Sequence, residues 1–169
     1  MTNGNTEAAK TVLEKNGWVL GSDGIYTKTV KKETTRLSFE IDTNDIPELT
    51  KALDYIVQDL AEAGIEATPK VYETGSLNQD IIRPRKFQAL LFGQVVTNQS
   101  DLFAFWHSSQ RTDPGLNITG YANPSVDTLL EKGLETLNPE KESAVYTSLT
   151  STITSDIPAV FIYSPAYIY

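Results

Sequence analysis

His107 is the only histidine among the 169 residues, and it stands directly before two hydroxyl side chains, Ser108 and Ser109. A histidine near a serine could form a Ser-His-Asp triad, in which the imidazole takes the proton of a nucleophilic hydroxyl. These serines, however, lie too near the histidine in sequence and lack the elbow motif that exposes a nucleophile. The sequence contains no cysteine, which excludes a cysteine nucleophile, a thiolate metal site and a disulfide framework. We therefore predict no catalytic residues, no metal site and no cofactor.

Two other short motifs could suggest a ligand. Residues 21–24 read Gly-Ser-Asp-Gly, but they lack the Gly-Lys-Ser/Thr ending of a phosphate-binding loop and are interpreted as a turn. Asp42 and Asp45 flank Asn44, yet the acceptor spacing and terminal glutamate of a calcium loop are missing. Helix capping explains these acidic residues better.

The stretch of residues 87–121 carries the clearest signal of function. An apolar strand is predicted over residues 87–92, and it ends at Gly93. The long loop that follows places aromatic residues beside hydroxyl and amide side chains. Loops of this length in a folded domain usually bind something. The pattern indicates a binding surface and not a catalytic one.

Three side chains of this loop are candidate ligand contacts, and each has a structural alternative. Trp106 ends the apolar run Phe-Ala-Phe-Trp, so it could instead be a core residue under the loop. Asn117 could donate a hydrogen bond in a cleft, but it could equally cap a turn. Tyr121 could either donate to a ligand or pack on the helix that follows Pro124. His107 is interpreted as a local hydrogen-bonding residue.

Composition limits the classes of partner. With 40% hydrophobic and 21% charged residues, the chain suits one globular domain with a substantial core. Its net charge of -8 argues against nucleic acid, because binding to phosphate backbones requires clustered lysine and arginine. No apolar run reaches the roughly 20 residues that span a bilayer, and no export signal is recognisable at the start.

Helical and strand patterns alternate along the chain, which predicts an α/β fold. A strand is expected over residues 37–41, where apolar and polar residues alternate. An amphipathic helix is predicted to begin at Pro47 and to stop before Gly64, with Leu49, Ala52, Leu53, Ile56, Val57 and Leu60 on one face. Two later helices begin at Asn-Pro pairs, and residues 159–163 read as a last buried strand. We expect a mixed sheet flanked by helices.

The order of many weak motifs resembles the C-terminal lobe of bacterial family 5 extracellular solute-binding proteins, the peptide and nickel receptors of ABC importers. The resemblance covers nearly the whole chain. The motifs that carry it are Gly17-Trp18, Gly64-Ile65-Glu66, Phe87-Gln88-Ala89-Leu90-Leu91-Phe92-Gly93, Trp106-His107-Ser108-Ser109, Gly120-Tyr121-Ala122-Asn123-Pro124-Ser125-Val126-Asp127 and Ile157-Pro158-Ala159-Val160-Phe161-Ile162-Tyr163.

The resemblance implies a fold, a setting and partners. Residues 6–169 would form one lobe of a type II periplasmic-binding-protein-like fold, after an added start over residues 1–5. A peptide would lie between this lobe and an N-terminal lobe absent here, and the closed receptor would dock on the ABC permease subunits. The full-length protein would be periplasmic or a cell-surface lipoprotein, with its signal or membrane anchor outside this chain. Tyr163, Tyr167 and Tyr169 would cover the seam toward the absent lobe.

In this family the loop after the strand-ending glycine lines the ligand cleft, often with a tryptophan next and an aspartate a few positions on that pairs with the peptide amine. By resemblance, Gly93, Gln94, Val95, Thr97 and Asp101 are therefore candidate ligand-binding residues. Gln94 and Thr97 depart from the tryptophan and aspartate of the pattern, and Asp101 is the nearest carboxylate.

Two functions of other classes remain open from the residues alone. A small standalone α/β enzyme would require a second acid/base group facing His107. A protein-interaction module would present a flat apolar patch, whereas a receptor would present an apolar groove with a few convergent polar groups.

Overall fold

A computed structural model describes residues 5–98, 100–136 and 138–164. The chain divides into two compact units, Met1–Gly93 and Gln94–Tyr169. Of the predicted added start, only Asn5 is described; Tyr167 and Tyr169 also lie outside the described residues. The prediction that residues 6–169 form one lobe stays a prediction.

The described residues of the first unit, 5–93, form two three-stranded sheets. The antiparallel sheet follows chain order, and its strands are β1 (Val19–Leu20), β2 (Tyr26–Val30) and β3 (Glu33–Arg36). The parallel sheet has the order β5-β4-β6, with β4 at Ser38–Asn44, β5 at Glu66–Tyr72 and β6 at Ala89–Leu90. The predicted α/β class is thus confirmed, with parallel and antiparallel pairing in separate sheets.

The parallel sheet is built around β4, which pairs along its whole length with β5, from Ser38 opposite Glu66 to Asn44 opposite Tyr72. The connection between these strands is helix α2 (Pro47–Glu62), since parallel neighbours need a crossover. Its bounds confirm the prediction from the apolar spacing. Pro47 occupies the first turn, where its missing N–H costs nothing, and Gly64 adopts the left-handed conformation (φ 80°) just beyond the end.

Short helices flank the sheets of this unit. Helix α1 (Thr6–Lys15) begins at Asn5, whose side chain accepts a hydrogen bond from the N–H of Ala8. After β5 come one turn of α-helix, α3 (Thr74–Ser76), and a π-helical segment, Leu77–Ile82. Residues 74–82 are thus helical throughout.

The second unit is helical. It contains α4 (Asp101–Trp106), a 3₁₀ turn (Ser108–Gln110), α5 (Pro124–Glu135) and α6 (Pro139–Asp156). The last two helices begin at Asn123 and Asn138, whose side-chain oxygens accept from backbone N–H groups of the first turn, as the Asn-Pro pairs predict. Their inner faces and Trp106 of α4 form one hydrophobic cluster, made of Trp106, Val126, Leu130, Leu149 and Ile153.

Two predicted strands differ from the structure. Within residues 87–92 only Ala89–Leu90 pair as a strand, at the edge of the parallel sheet, so this prediction is confirmed only in part. Residues 159–163 form no strand in the structure. Both runs have β-forming residues, but a strand also requires a hydrogen-bonded neighbour, which local sequence does not specify. Among the described residues, no helix is long and apolar enough to cross a membrane.

Candidate functional site

Asn117 holds the loop of the second unit together from inside. Its side chain is fully buried. The Nδ2 atom donates to the backbone oxygens of His107 at 3.1 Å and of Tyr121 at 3.0 Å, and Oδ1 accepts from the Thr119 hydroxyl at 2.9 Å. Each polar atom of the amide is engaged within the loop, as the turn-stabilising alternative expects. Its role as a ligand contact stays a prediction.

Trp106 lies in the hydrophobic core of the second unit, with only 7% of its surface exposed. The rings of Trp106 and Tyr121 pack edge to face, with their centroids 6.3 Å apart and an interplanar angle of 81°. This arrangement suits the opposite charges of an aromatic edge and face. The structure therefore brings two predicted site residues together, and it places Trp106 where the core alternative expects it.

Tyr121 also anchors the loop to the end of α6. Its hydroxyl donates to Oδ2 of Asp156 at 2.5 Å, and Nδ2 of Asn123 donates to the same oxygen at 2.7 Å. Burial, together with this hydrogen bond to a carboxylate, raises the pKa of Tyr121 to about 12. The same two donors lower the pKa of Asp156, because they stabilise its ionised form. Tyr121 is therefore a neutral donor at ordinary pH.

Thr97 and Asp101 are adjacent in the structure. Oδ2 of Asp101 accepts from the Thr97 hydroxyl at 2.7 Å, from the Thr97 N–H at 2.8 Å and from the Asn98 N–H at 3.2 Å. These hydrogen bonds lower the pKa of Asp101, first through the hydroxyl and then through the two backbone groups. Asp101 follows Thr97 by four residues in sequence, but its carboxylate lies within hydrogen-bonding distance of the Thr97 hydroxyl and N–H.

The remaining candidates are Gly93, at the end of the first unit, and Gln94 and Val95, at the start of the second. All three are exposed and belong to no helix or strand. Val95 has 77% of its surface exposed. Within the second unit, no hydrogen bond or ring contact of the described residues joins Gln94 or Val95 to Trp106, Asn117 or Tyr121.

Sequence reasoning missed Asp127, which receives two hydrogen bonds from Ser108. The backbone N–H of Ser108 donates to Oδ1 at 2.8 Å, and its hydroxyl donates to Oδ2 at 2.5 Å. The two residues are 19 positions apart, and no motif connects them. The contact fixes the loop after α4 to the first turn of α5.

His107 behaves as the local hydrogen-bonding residue that the sequence suggests. Its Nδ1 atom accepts from the Ser109 N–H at 3.1 Å, and its ring stacks on Phe103 with centroids 4.2 Å apart. Nε2 is buried without a hydrogen-bond partner among the described residues. The nearest carboxylate oxygens belong to Glu131 at 3.5 Å and Asp127 at 4.0 Å.

The first unit holds a second polar group that sequence reasoning misread. Asp42 lies in β4 and is almost fully buried, so the helix-capping interpretation of this residue is wrong. Burial raises its pKa, and a hydrogen bond with Tyr72 acts in the opposite direction. Tyr72 lies on β5, two positions along from Lys70, which pairs with Asp42 in the sheet. Two adjacent strands thus create the environment of this carboxyl.

No family model matches the chain. Protein XP55 from Streptomyces lividans is 28% identical over 165 residues, which are 96% of this chain and 29% of that protein. Among solved structures, the oligopeptide-binding protein AppA from Bacillus subtilis, in complex with a nonapeptide, is 26% identical with a TM-score of 0.81. That match covers 91% of this chain and 30% of AppA.

Other solved structures share the fold at lower identity. The oligopeptide-binding protein from Thermus thermophilus, complexed with a pentapeptide, has a TM-score of 0.78 at 21% identity, covering 90% of this chain and 28% of that one. NikZ from Campylobacter jejuni, in complex with Ni(L-His), also has a TM-score of 0.78 at 21% identity, covering 91% and 31%. These neighbours are family 5 solute-binding proteins, so the predicted resemblance and the periplasmic-binding-protein-like fold are confirmed. The chain spans about 30% of their length.

Proposed function

We propose that this chain is the C-terminal lobe of the substrate-binding component of an ABC importer and that the substrate is an oligopeptide. The observation that carries the proposal is the match to AppA, which combines a TM-score of 0.81 with 26% identity over 91% of the chain. The receptor would work outside the cytoplasm without catalysing a reaction. Its partners would be a peptide, the N-terminal lobe and the permease subunits.

The geometry at Thr97 supports recognition of the free peptide amine. In Asp101, one carboxylate oxygen accepts all three hydrogen bonds from Thr97 and Asn98, and Oδ1 accepts none among the described residues. A carboxylate that is held ionised and keeps one free oxygen can receive a charged amine. Asp101 would then supply the negative charge that Thr97 lacks.

The test is calorimetric titration of the full-length receptor with a mixture of three- to nine-residue peptides, before and after N-acetylation. We expect the free peptides to bind and the Asp101→Asn variant to lose roughly tenfold or more in affinity, because one charge-assisted hydrogen bond contributes about 1.5–3 kcal/mol. Acetylated peptides should bind the two proteins equally. Glu135→Gln, at an exposed position on α5, is the matched control and should bind as the original protein does.

Three results would contradict the proposal. Binding of the nickel–histidine complex without any peptide would assign the receptor to a metal substrate. If neither the peptides nor the nickel–histidine complex binds, the proposed receptor function is wrong. An intact mass of the native protein equal to 169 residues would show that no second lobe exists.

A further inference from the structure

His107 has only 9% of its surface exposed, and its Nε2 atom has no hydrogen-bond partner among the described residues. Buried polar atoms without a partner are rare in folded proteins, because they lose water without gaining another hydrogen bond. The other ring nitrogen, Nδ1, accepts from the Ser109 N–H at 3.1 Å, so the hydrogen of the neutral ring lies on Nε2. The unpartnered atom is therefore a buried donor that lacks an acceptor.

Two carboxylates of helix α5 lie close to this donor. Oε1 of Glu131 is 3.5 Å from Nε2, and Oδ1 of Asp127 is 4.0 Å from it. Both distances exceed the roughly 2.7–3.2 Å of an N–H···O hydrogen bond. Asp127 already accepts two hydrogen bonds from Ser108, whereas Glu131 accepts none among the described residues and has 61% of its side chain exposed. Glu131 is therefore the carboxylate that can move to Nε2.

A second proton on the ring would change the roles of both nitrogens. Histidine is the side chain that most readily gains a proton just below neutral pH. A protonated Nδ1 no longer accepts from the Ser109 N–H, but it can donate to the Ser109 hydroxyl oxygen, which lies 2.8 Å away. Nε2–H would then belong to a positive ring, and its attraction to the Glu131 carboxylate would be that of an ion pair.

The surroundings of the ring decide which carboxylate can hold that charge. From α4 the ring meets Phe103, which stacks on it and carries no charge. The loop after α4 adds one positive group, Arg111, whose Nε donates to the Ser108 backbone oxygen at 3.1 Å. A charge in a buried position needs a partner in direct contact. Glu131 on α5 supplies that partner, because both oxygens of Asp127 are engaged by Ser108.

His107 also connects α5 to the candidate ligand contacts. Its backbone oxygen accepts from Nδ2 of Asn117 at 3.1 Å, and the same amide nitrogen donates to the Tyr121 backbone oxygen. Trp106 directly precedes His107 in the sequence. The position of His107 relative to α5 therefore affects three of the predicted site residues.

We propose that His107 is a positioning residue, which in its protonated form fixes the loop after α4 to helix α5 through an ion pair between Nε2 and Glu131. The inference rests on the proposed function, in which this loop contacts the peptide. In acidic solution the loop would be attached to α5 by two contacts, Ser108–Asp127 and His107–Glu131, and in alkaline solution by the first alone. A loop that is already ordered loses less freedom on binding, so the ion pair should strengthen peptide binding.

A nuclear magnetic resonance titration of this chain tests the ion pair. His107 is the only histidine, so its imidazole signals need no assignment. In Glu131→Gln the midpoint of their pH titration should fall by roughly half a pH unit or more, because the charged ring loses its partner. Glu135→Gln, at an exposed position four residues later on α5, is the matched control and should leave the midpoint unchanged. Equal midpoints in the original chain and Glu131→Gln would overturn the inference.

Calorimetric titration of the full-length receptor with the peptide mixture tests the positioning role. Glu131→Gln should weaken binding roughly threefold or more at about pH 5.5 and by a smaller factor at about pH 7.5, where the ring is mostly neutral. His107→Gln keeps a polar side chain that cannot be protonated, and in that background Glu131→Gln should have the same effect at both pH values. A Glu131→Gln effect that is equal at both pH values in the presence of His107 would contradict the positioning role.

Failure of this inference is distinguishable from failure of the proposed function. If peptides bind but the midpoint does not change in Glu131→Gln, this inference alone is overturned. If the midpoint falls as expected but no peptide binds at either pH, the ion pair is confirmed and the proposed function is wrong.

Discussion

Asp127 accepts two hydrogen bonds from Ser108, one from its backbone N–H at 2.8 Å and one from its hydroxyl at 2.5 Å. The pair joins the loop after α4 to the first turn of α5. Because the acceptor is a carboxylate that is only 19% exposed, both hydrogen bonds are shielded from competing water. The loop therefore has a fixed position on α5, independent of any ligand.

Replacing the carboxylate of Asp127 should weaken the attachment of the loop after α4 to helix α5. Asp127→Asn keeps the size of the side chain but turns one acceptor into a donor that faces the Ser108 donors. We expect the free energy of unfolding to fall by about 1–3 kcal/mol, the usual cost of leaving such groups unsatisfied. Urea denaturation of this chain measures the change. Glu135→Gln, on the exposed face of the same helix, should alter it by less than about 0.5 kcal/mol.

Two features of the structure require glycine at position 64, namely its left-handed backbone conformation and the close approach of the Tyr26 ring. A matched pair of variants separates these two effects. A Cβ atom at Gly64 would lie 2.7 Å from Cδ2 of Tyr26, which is fully buried, and the backbone has a φ of 80°. Gly24 has a φ of 83°, but a Cβ there would meet nothing within 4 Å.

Gly24→Ala should therefore cost only the left-handed backbone conformation, about 1–2 kcal/mol. Gly64→Ala should cost about 2–4 kcal/mol, because the Tyr26 ring must also move. Thermal unfolding followed by circular dichroism compares the two variants. Equal losses would show that the contact with Tyr26 does not determine the choice of glycine.

Some features of this fold can be predicted from the local sequence, and others cannot. Helix α2 was predictable because its apolar spacing, Pro47 and Gly64 are all signals within one segment. The Asn-Pro pairs before α5 and α6 were equally local. Asp42 was misread because its environment comes from Tyr72, which lies on a different strand much later in the chain. Its burial depends on how β4 pairs with β5, and no local pattern encodes that pairing.

The candidate site likewise has features that the local sequence predicts and features that it does not. A loop rich in aromatic and amide side chains could be recognised, but the partners of those side chains could not. Asn117 bonds two backbone oxygens that face it only after the loop has folded. Trp106 was an even choice between core and cleft, because the apolar run around it fits both. Where these local patterns do not determine the fold, the resemblance to family 5 solute-binding proteins predicts it.

The buried carboxyl of Asp42 should make stability depend on pH. Burial raises its folded-state pKa above the value of 3.8 that applies to an exposed carboxyl. Between these two pKa values the folded state binds more protons than the unfolded state, so stability falls as pH rises through this range. Below both values Asp42 contributes no pH dependence.

Asp42→Asn should remove this decrease, since an amide does not titrate and can still bond with Tyr72. The check is the difference between the urea-derived unfolding free energies of the original protein and the variant from about pH 3 to about pH 7. We expect the variant to gain relative stability as pH rises above about 4. A difference that is constant with pH would mean that Asp42 is not protonated preferentially in the folded state.

Trp106 should contribute more to stability than Trp18, the other tryptophan of the chain. Trp106 packs in the hydrophobic cluster of the second unit, whereas Trp18 is partly exposed in the first. Trp106→Ala should lower the free energy of unfolding by about 3–5 kcal/mol, because it leaves a large cavity. Trp18→Ala should cost less. Chemical denaturation followed by far-ultraviolet circular dichroism compares the variants without relying on tryptophan fluorescence.

Trp106 should also differ from His107 in the full-length receptor if the loop lines a cleft. An aromatic wall removes more apolar surface from water than an imidazole, so Trp106→Ala should weaken peptide binding more than His107→Ala. Calorimetric titration of both variants, at a temperature where each remains folded, measures this. Unchanged peptide affinity of folded Trp106→Ala would assign Trp106 to the core alone.

The 169-residue chain by itself should bind peptides far more weakly than the full-length receptor. A peptide held on one side only would still lose its conformational freedom and part of its hydration, yet it would gain only part of the contacts. We expect an affinity at least roughly 100-fold lower, which corresponds to about 2.7 kcal/mol. Titrating both proteins with the same peptide mixture provides the measurement, and far-ultraviolet circular dichroism establishes that the chain is folded. If the folded chain binds as tightly as the receptor, the complete peptide site lies within these 169 residues and the two-lobed mechanism is wrong for this protein.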